Sequence, residues 1–211
     1  NNGRGKAIWV TETGRYNHGT YDWEKRYDFC EKGRAEVARY LVRQYTLLMK
    51  SENVEKIFWY LLRDHHKFKT MGLLRTPGDE LGKYAVAPAY VSYATLIRTL
   101  EGAKHVMRET TRPYTRAYVE LFDRAGEQVR VCWATMPSRV ELRSSRPLKI
   151  RNMMGVETTA TPTAGKITLD LTEDPVFVLG RVSKVTEIVV GDRILGDSED
   201  DYSKTQGKKN W

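Results

Sequence analysis

The hydrophobic pattern of this chain changes period once, close to Gly102, and that change restricts it to a composite fold. Before Gly102, strand and helix signals alternate. Ala7-Ile8-Trp9-Val10-Thr11 is a short β-branched and aromatic run, the texture of a buried strand. A polar, aromatic loop follows from Gly14 to Gly33. Ala38, Leu41, Val42, Tyr45, Leu48 and Met49 then recur at helical spacing and predict an amphipathic helix over 34–50. Val54 to Leu62 reads as a second strand that ends at the polar segment Arg63-Asp64-His65-His66. Beyond a Gly- and Pro-containing loop, Pro88 sits near the first turn of a second helix and Gly102 just past its end. Ala89, Tyr93, Leu96, Ile97 and Leu100 line one face of that helix. The order β-α-β-α is the repeating unit of a parallel sheet or barrel.

After Gly102 only strand signals remain. Tyr114–Phe122, Val129–Thr135, Val140–Ser144, Leu148–Arg151, Lys166–Leu171, Val176–Leu179 and Val185–Val190 are short runs separated by turn residues. About seven such runs in roughly 90 residues is the spacing of an antiparallel β-sandwich. The expected fold class is therefore α/β plus all-β. Residues 1–102 carry the β/α part, 103–192 the sandwich, and 193–211 a polar tail or the start of a further module. No internal repeat is visible.

Length bounds the first part. The 211 residues cannot hold a complete eight-fold β/α barrel, at about 250 residues, with anything attached. Charged residues at 29% and hydrophobic ones at 40% exclude a disordered or fibrous chain. No apolar run approaches the ~20 residues that cross a bilayer as a helix, so no membrane partner is expected. The chain lacks an initiating Met and a leader at Asn1 and opens almost inside a strand, so Asn1 is not expected to be a natural N-terminus.

The net charge of +8 raises the question of nucleic acid. Residues 1–102 hold 17 basic and 12 acidic side chains, and 103–211 hold 18 and 15. An excess spread so evenly reads as a solvated basic surface, and no nucleic-acid partner is expected. Cys30 and Cys132 lie far apart and form no disulfide framework and no zinc spacing. His65-His66 lacks the companions a metal site needs, so no metal is expected.

The candidate chemistry lies at the strand ends. Under plain two-residue alternation Glu12 projects to the same side as Ile8 and Val10, with Trp9 and Thr11 on the other. Were Ile8 and Val10 to fill a barrel interior, Glu12 would sit above them at the C-terminal end of the strand, where β/α barrels carry catalytic residues. Spacing alone equally allows a solvent-facing glutamate or one paired with an arginine. Gly14 lets the chain turn away tightly. Phe58-Trp59-Tyr60 brings aromatic faces to the same rim, a surface suited to the C–H faces of sugar rings. The same three residues also suit a core position, Phe58 most of all.

These residues resemble a known group. Ile8-Trp9-Val10-Thr11-Glu12-Thr13-Gly14 is similar to the seventh strand of retaining glycoside hydrolases of the large clan with (β/α)8 barrels. Phe58-Trp59-Tyr60-Leu61-Leu62-Arg63-Asp64, Gly72-Leu73-Leu74, and Lys83 with Pro88-Ala89-Tyr90 to Leu100-Glu101-Gly102 resemble the eighth strand, its loop and the last helix. The nearest flavour is the β-xylosidase and α-L-iduronidase-like group, or related bacterial endoglycosidases. Gly165 to Leu169 and Glu173 to Val178 resemble closing strands of the sandwich that follows such barrels.

The resemblance implies a C-terminal piece of a retaining glycosidase: the last two β/α units of a (β/α)8 barrel, then an antiparallel β-sandwich. Such enzymes use two carboxyl groups about 5–5.5 Å apart and no cofactor. Glu12 would be the nucleophile, held ionised by surrounding hydrogen-bond donors. Trp59 and Tyr60 would shape the sugar subsite and Asp64 would bind sugar hydroxyls. The implied partners are an oligo- or polysaccharide substrate and the missing N-terminal barrel half of the same protein, and the implied setting is secreted or periplasmic. The acid/base glutamate of these enzymes belongs to the fourth strand, roughly 90 residues upstream at about 30 residues per unit. This chain has only a few residues there. It is thus expected to be inactive alone and to pair with the missing half or to self-associate. The alternative reading is a non-catalytic carbohydrate-binding or scaffold fragment.

Overall fold

The computed structural model describes residues 5–15, 31–65, 70–110 and 115–188. Cys30, His66, most of the Gly14–Gly33 loop and the 193–211 tail lie outside the described residues. Strand β1 (Ile8–Thr13), helix α1 (Glu31–Leu48), strand β2 (Val54–Trp59) and helix α2 (Pro88–Leu100) follow in the order that the periodicity predicts. β1 and β2 pair in parallel as a two-stranded sheet. Pro88 stands in the first turn of α2, where its missing N–H costs no helical bond. Gly102 takes a φ of +73° just beyond the helix.

Nine strands complete the described chain: β3 (Lys104–Arg108), β4 (Ala117–Arg124), β5 (Glu127–Ala134), β6 (Ser138–Arg143), β7 (Leu148–Asn152), β8 (Glu157–Ala160), β9 (Lys166–Leu171), β10 (Val176–Leu179) and β11 (Lys184–Ile188). Two of them, β3 and β8, are absent from the seven expected runs. Both are edge strands. β8 reads Glu-Thr-Thr-Ala, and β3 carries a register irregularity between His105 and Met107, so neither shows the apolar alternation of a half-buried strand. Six strands form one sheet in the order β3-β4-β5-β10-β7-β8, and three form another in the order β11-β6-β9. Every pairing within these two sheets is antiparallel.

The six-stranded sheet is buried on both faces. Ala117, Val119, Cys132, Ala134 and Val178 point toward the smaller sheet and meet Val140, Leu142, Ile167 and Leu171 there. Phe122, Val129, Val131, Trp133 and Phe177 point the other way and share one apolar cluster with Val37, Ala38, Leu41, Val42 and Tyr45 of α1 and Ala89, Leu96 and Leu100 of α2. The change of texture at Gly102 is therefore not a break in the core.

Polar contacts register the helices on the sheet. Arg124 of β4 donates to the carbonyls of Thr99 (3.3 Å) and Arg98 (3.4 Å), the kind of orphan acceptors a helix end leaves. Arg151 of β7 donates to the Thr99 hydroxyl at 2.7 Å. Arg39 of α1 donates to Asp174 at 2.9 Å. Lys50, just after α1, reaches the fully buried Glu120 at 3.1 Å, and His105 lies on its other oxygen at 2.9 Å.

The α2 face differs from the one its apolar residues suggest. Ser92, Thr95 and Thr99 are buried beside Ala89, Leu96 and Leu100, while Ile97 is exposed. Small side chains let the helix approach closely: a Cβ placed on Gly155 would lie only 3.2 Å from the Thr95 hydroxyl. Ser92 also donates to the Ala38 carbonyl of α1 at 3.2 Å.

A core shared in this way couples the two halves energetically. Leu41→Ala in α1 is expected to cost about 2–5 kcal/mol, the usual range for a buried leucine truncation. Denaturant unfolding followed by far-ultraviolet dichroism and by Trp fluorescence should show one shifted transition. A sandwich that stays folded while the helices melt would contradict a single core.

Candidate active site

The C-terminal ends of β1 and β2 lie side by side because their pairing runs from Ile8↔Val54 to Thr13↔Trp59, and the Tyr60 N–H extends it by donating to the Thr13 carbonyl at 2.7 Å. Close approach requires Gly14. A Cβ there would meet the Tyr60 carbonyl oxygen at 2.4 Å and the Met71 Cε at 2.9 Å. The glycine thus serves close approach to β2; the turn expected after it runs into residues outside the described ones.

The faces of β1 also depart from simple alternation. Trp9 pairs with Lys56, whose Nζ sits 3.9 Å from the indole centroid, while Val10 pairs with Ile57. Paired residues of neighbouring strands share a face. Ile57 and Trp59 pack on the helix-side core, so Val10 and Thr13 face the helices, and Trp9, Lys56, Phe58 and Tyr60 face away from them. Register irregularities fall between Ile8 and Trp9 and between Val10 and Thr13. The expectation that Ile8, Val10 and Glu12 share one side therefore fails at Val10. An extra residue between Val10 and Thr13 re-aims the strand end, the usual effect of a bulge. Glu12 is exposed, whereas its neighbour Thr13, paired with Trp59, is buried.

The side facing away from the helices is open. Trp9 is 53% exposed, Phe58 47% and Tyr60 37%. Among the described residues no donor reaches the Glu12 carboxylate, so the surrounding donors expected for an ionised nucleophile are not found there.

The other expected subsite residues lie elsewhere. Trp59 is half-buried on the helix side, 6.4 Å centroid to centroid from Tyr45, and its indole N–H donates to the Met71 carbonyl at 2.8 Å. Asp64 is buried, with both carboxylate oxygens engaged: Oδ2 with Arg34 Nη1 at 2.8 Å and Oδ1 with the Gly72 N–H at 2.7 Å. Its side chain has no exposed surface. Tyr60 alone of the three stands exposed beside the Glu12 end of β1.

The chain after β2 is more ordered than a long loop suggests. Leu73 and Leu74 donate to the Leu61 and Leu62 carbonyls (3.2 and 2.9 Å), the Asp64 N–H to the Leu74 carbonyl (2.9 Å), and the Arg75 and Ala87 N–H groups pair with Ala85 and Leu73 (2.8 and 2.9 Å). Three short extended segments thus stand together beyond β2. Arg34, Asp64 and Arg75, all buried, stand with Asp79, whose side chain is 6% exposed. An open hollow of about 480 Å³ is lined by Leu61, Leu62, Arg63, Asp64, His65, Leu74 and Tyr84. Sequence reasoning gave Arg34 no role and met Gly72 only within the Gly72-Leu73-Leu74 resemblance. Their only local signal was an arginine among polar residues and one more loop glycine.

No protein-family model matches the chain, and no curated protein does. Solved structures do. A family 39 glycoside hydrolase from the gut symbiont Bacteroides cellulosilyticus WH2 is similar over 83% of this chain, with TM-score 0.63 and 20% identity. A GH30 endoxylanase from Clostridium papyrosolvens C71 is similar over 84%, with TM-score 0.50 and 17% identity. A GH86 protein in complex with neoagarooctaose is similar over 86%, with TM-score 0.52 and 12% identity. At these identities the likeness is one of fold. The chain spans 34%, 42% and 33% of those three proteins. It therefore has a fold found within glycoside hydrolases, matched across both its β/α part and its strand-rich part.

Gly14→Ala tests the strand-end geometry directly. The added methyl group has no room against the Tyr60 carbonyl. It should destabilise the chain by about 1–3 kcal/mol through forced displacement, read as a lower urea midpoint. A midpoint equal to that of the unsubstituted chain would show that β1 and β2 are not held this close.

Proposed function

We propose that this chain is the C-terminal part of a retaining glycosidase, made of the last two β/α units of a (β/α)8 barrel and the sandwich that follows, with Glu12 as its nucleophile. The observation that carries this reading is an exposed carboxylate at the C-terminal end of a parallel strand, beside an exposed tyrosine, in a fold shared with glycoside hydrolases. In β/α barrels that end of the strands builds the active site.

In this reading the face carrying Trp9, Phe58 and Tyr60 lines the barrel interior. Six further β/α units of the same protein cover it and bring a second carboxyl group to about 5–5.5 Å from Glu12. Glu12 attacks the anomeric carbon of a glycan, forming a glycosyl ester as the second carboxyl group protonates the departing oxygen. That second group, now a carboxylate, takes a proton from water, which cleaves the ester and regenerates Glu12. Covering the site also supplies the donors that Glu12 lacks among the described residues and that keep it ionised. The Tyr60 ring offers a flat face to the C–H groups of a sugar. Trp59 shapes the subsite from behind, through its bond to Met71.

The proposal predicts a division of labour. The 211 residues alone should hydrolyse no glycoside. In the polypeptide that includes the six preceding units, Glu12→Gln should lower turnover roughly 10⁴-fold or more while leaving glycan binding intact. Glu12→Ala with added azide should release a glycosyl azide of inverted anomeric configuration, since a small anion then takes the place of the missing carboxylate. Unchanged hydrolysis by either variant would remove Glu12 from the reaction.

A further inference from the structure

We propose that Asp64 and Arg34 are positioning residues, whose buried ion pair fixes the 70–75 segment and through Met71 sets how the Glu12 end of β1 rests against β2. The catalytic meaning of this device rests on the reading of Glu12 above, whereas the mechanical coupling does not.

The contacts form a continuous path. Arg34 enters from the first turns of α1 and meets Asp64 at 2.8 Å, 30 residues later in the chain. Its Nη2 lies 3.6 Å from Asp79 Oδ2, and Arg75 Nη1 lies 3.4 Å from Asp79 Oδ1. The result is an alternating row, Asp64–Arg34–Asp79–Arg75, with side chains almost fully buried and no net charge. On its other side Asp64 accepts the Gly72 N–H. Gly72 must lack a side chain for this, because a Cβ would stand 2.2 Å from the Asp64 nitrogen and 2.8 Å from its Oδ1. Gly72 thereby fixes its neighbour Met71. The Met71 carbonyl holds the Trp59 indole at the end of β2, and its Cε packs against Gly14, two residues beyond Glu12.

Energetics argue for geometry over bulk stability as the purpose of the row. A buried ion pair is often no more stabilising than well-packed apolar residues of the same volume, but removal of one partner leaves the other charge buried and uncompensated. A row of four such charges with a glycine pressed against it defines one position for Met71. An apolar filling would allow several. Asp64 therefore acts on the site from outside it, through the backbone of Gly72.

Hydrogen exchange in this chain tests the coupling, because exchange of single protons reports local opening separately from global unfolding. The reporters are the Trp59 indole N–H, bound to Met71, and the Tyr60 amide, bound to Thr13; the control is the Val131 amide in β5. Asp64→Asn keeps an acceptor for Gly72 and removes the charge opposite Arg34. It should speed both reporters about 10-fold, and Asp64→Ala about 100-fold, as expected for loss of one and then two bonds to a charged group. Arg34→Lys should fall between wild type and Asp64→Ala, since one ammonium cannot span Asp64 and Asp79. The Val131 amide should not change in Asp64→Asn. Unchanged reporters in both Asp64 variants would overturn the proposal. So would an equal loss of protection at Val131, which would make the pair a general stabiliser. Glu12→Gln should leave the reporters unmoved. Glycoside hydrolysis that survives Glu12→Gln would overturn the catalytic reading alone, and unmoved reporters the positioning alone.

Discussion

The apolar layer between the two helices and the six-stranded sheet is the contact on which the rest of the molecule depends. Two parallel strands with two helices cannot bury both faces of either element. α1 and α2 instead place Val37, Leu41, Val42, Leu96 and Leu100 on Phe122, Val131, Trp133 and Phe177. The sheet then needs a cover on its second face, and the three-stranded sheet provides it. From one side to the other the layers run β1-β2, helices, six strands, three strands. Each inner layer is stabilised by both neighbours, and β1-β2 by one.

That asymmetry explains where the large exposed apolar and aromatic side chains fall. Ile8, Trp9, Phe58 and Leu62 are all uncovered and all belong to β1, β2 or the residues just after them. The central sheet, by contrast, shows its exposed apolar residues mainly on the edge strand β3 and the turn between β7 and β8. An isolated two-stranded sheet is marginal by itself. Here it is held by Ile57 and Trp59 on the helix-side core and by the loop beyond β2. Oppositely charged partners at that loop offset one another's cost of burial.

Much of this architecture was legible in the residues. The 3.6-residue recurrence of Ala38, Leu41, Val42 and Tyr45 marked the buried face of α1, and Pro88 and Gly102 bracketed α2. The strand-only texture after Gly102 marked two antiparallel sheets, though β3 and β8 escaped because edge strands need no apolar alternation. Ile97, expected on the buried face of α2, is exposed, while Ser92, Thr95 and Thr99 are buried there. At the strand ends Glu12 and Tyr60 are both exposed, whereas Trp59 turns to the helices in step with Ile57. Nothing near Asp64 in the chain signals that its partner is Arg34, because the pair spans 30 residues and two elements.

The sequence by itself determined the kinds of element, their order and the point where β/α gives way to β. These depend on side-chain periodicity and on backbone limits at single residues such as Pro88 and Gly102, which act over a few neighbours. Only the tertiary structure decided which face Val10 takes, why Gly14 and Gly72 carry no side chain, and that Asp64 is enclosed. Those outcomes depend on strand register and on contacts between residues distant in the chain. Two register irregularities in the β1–β2 pairing were enough to change the faces that simple alternation assigns to Trp9 and Val10.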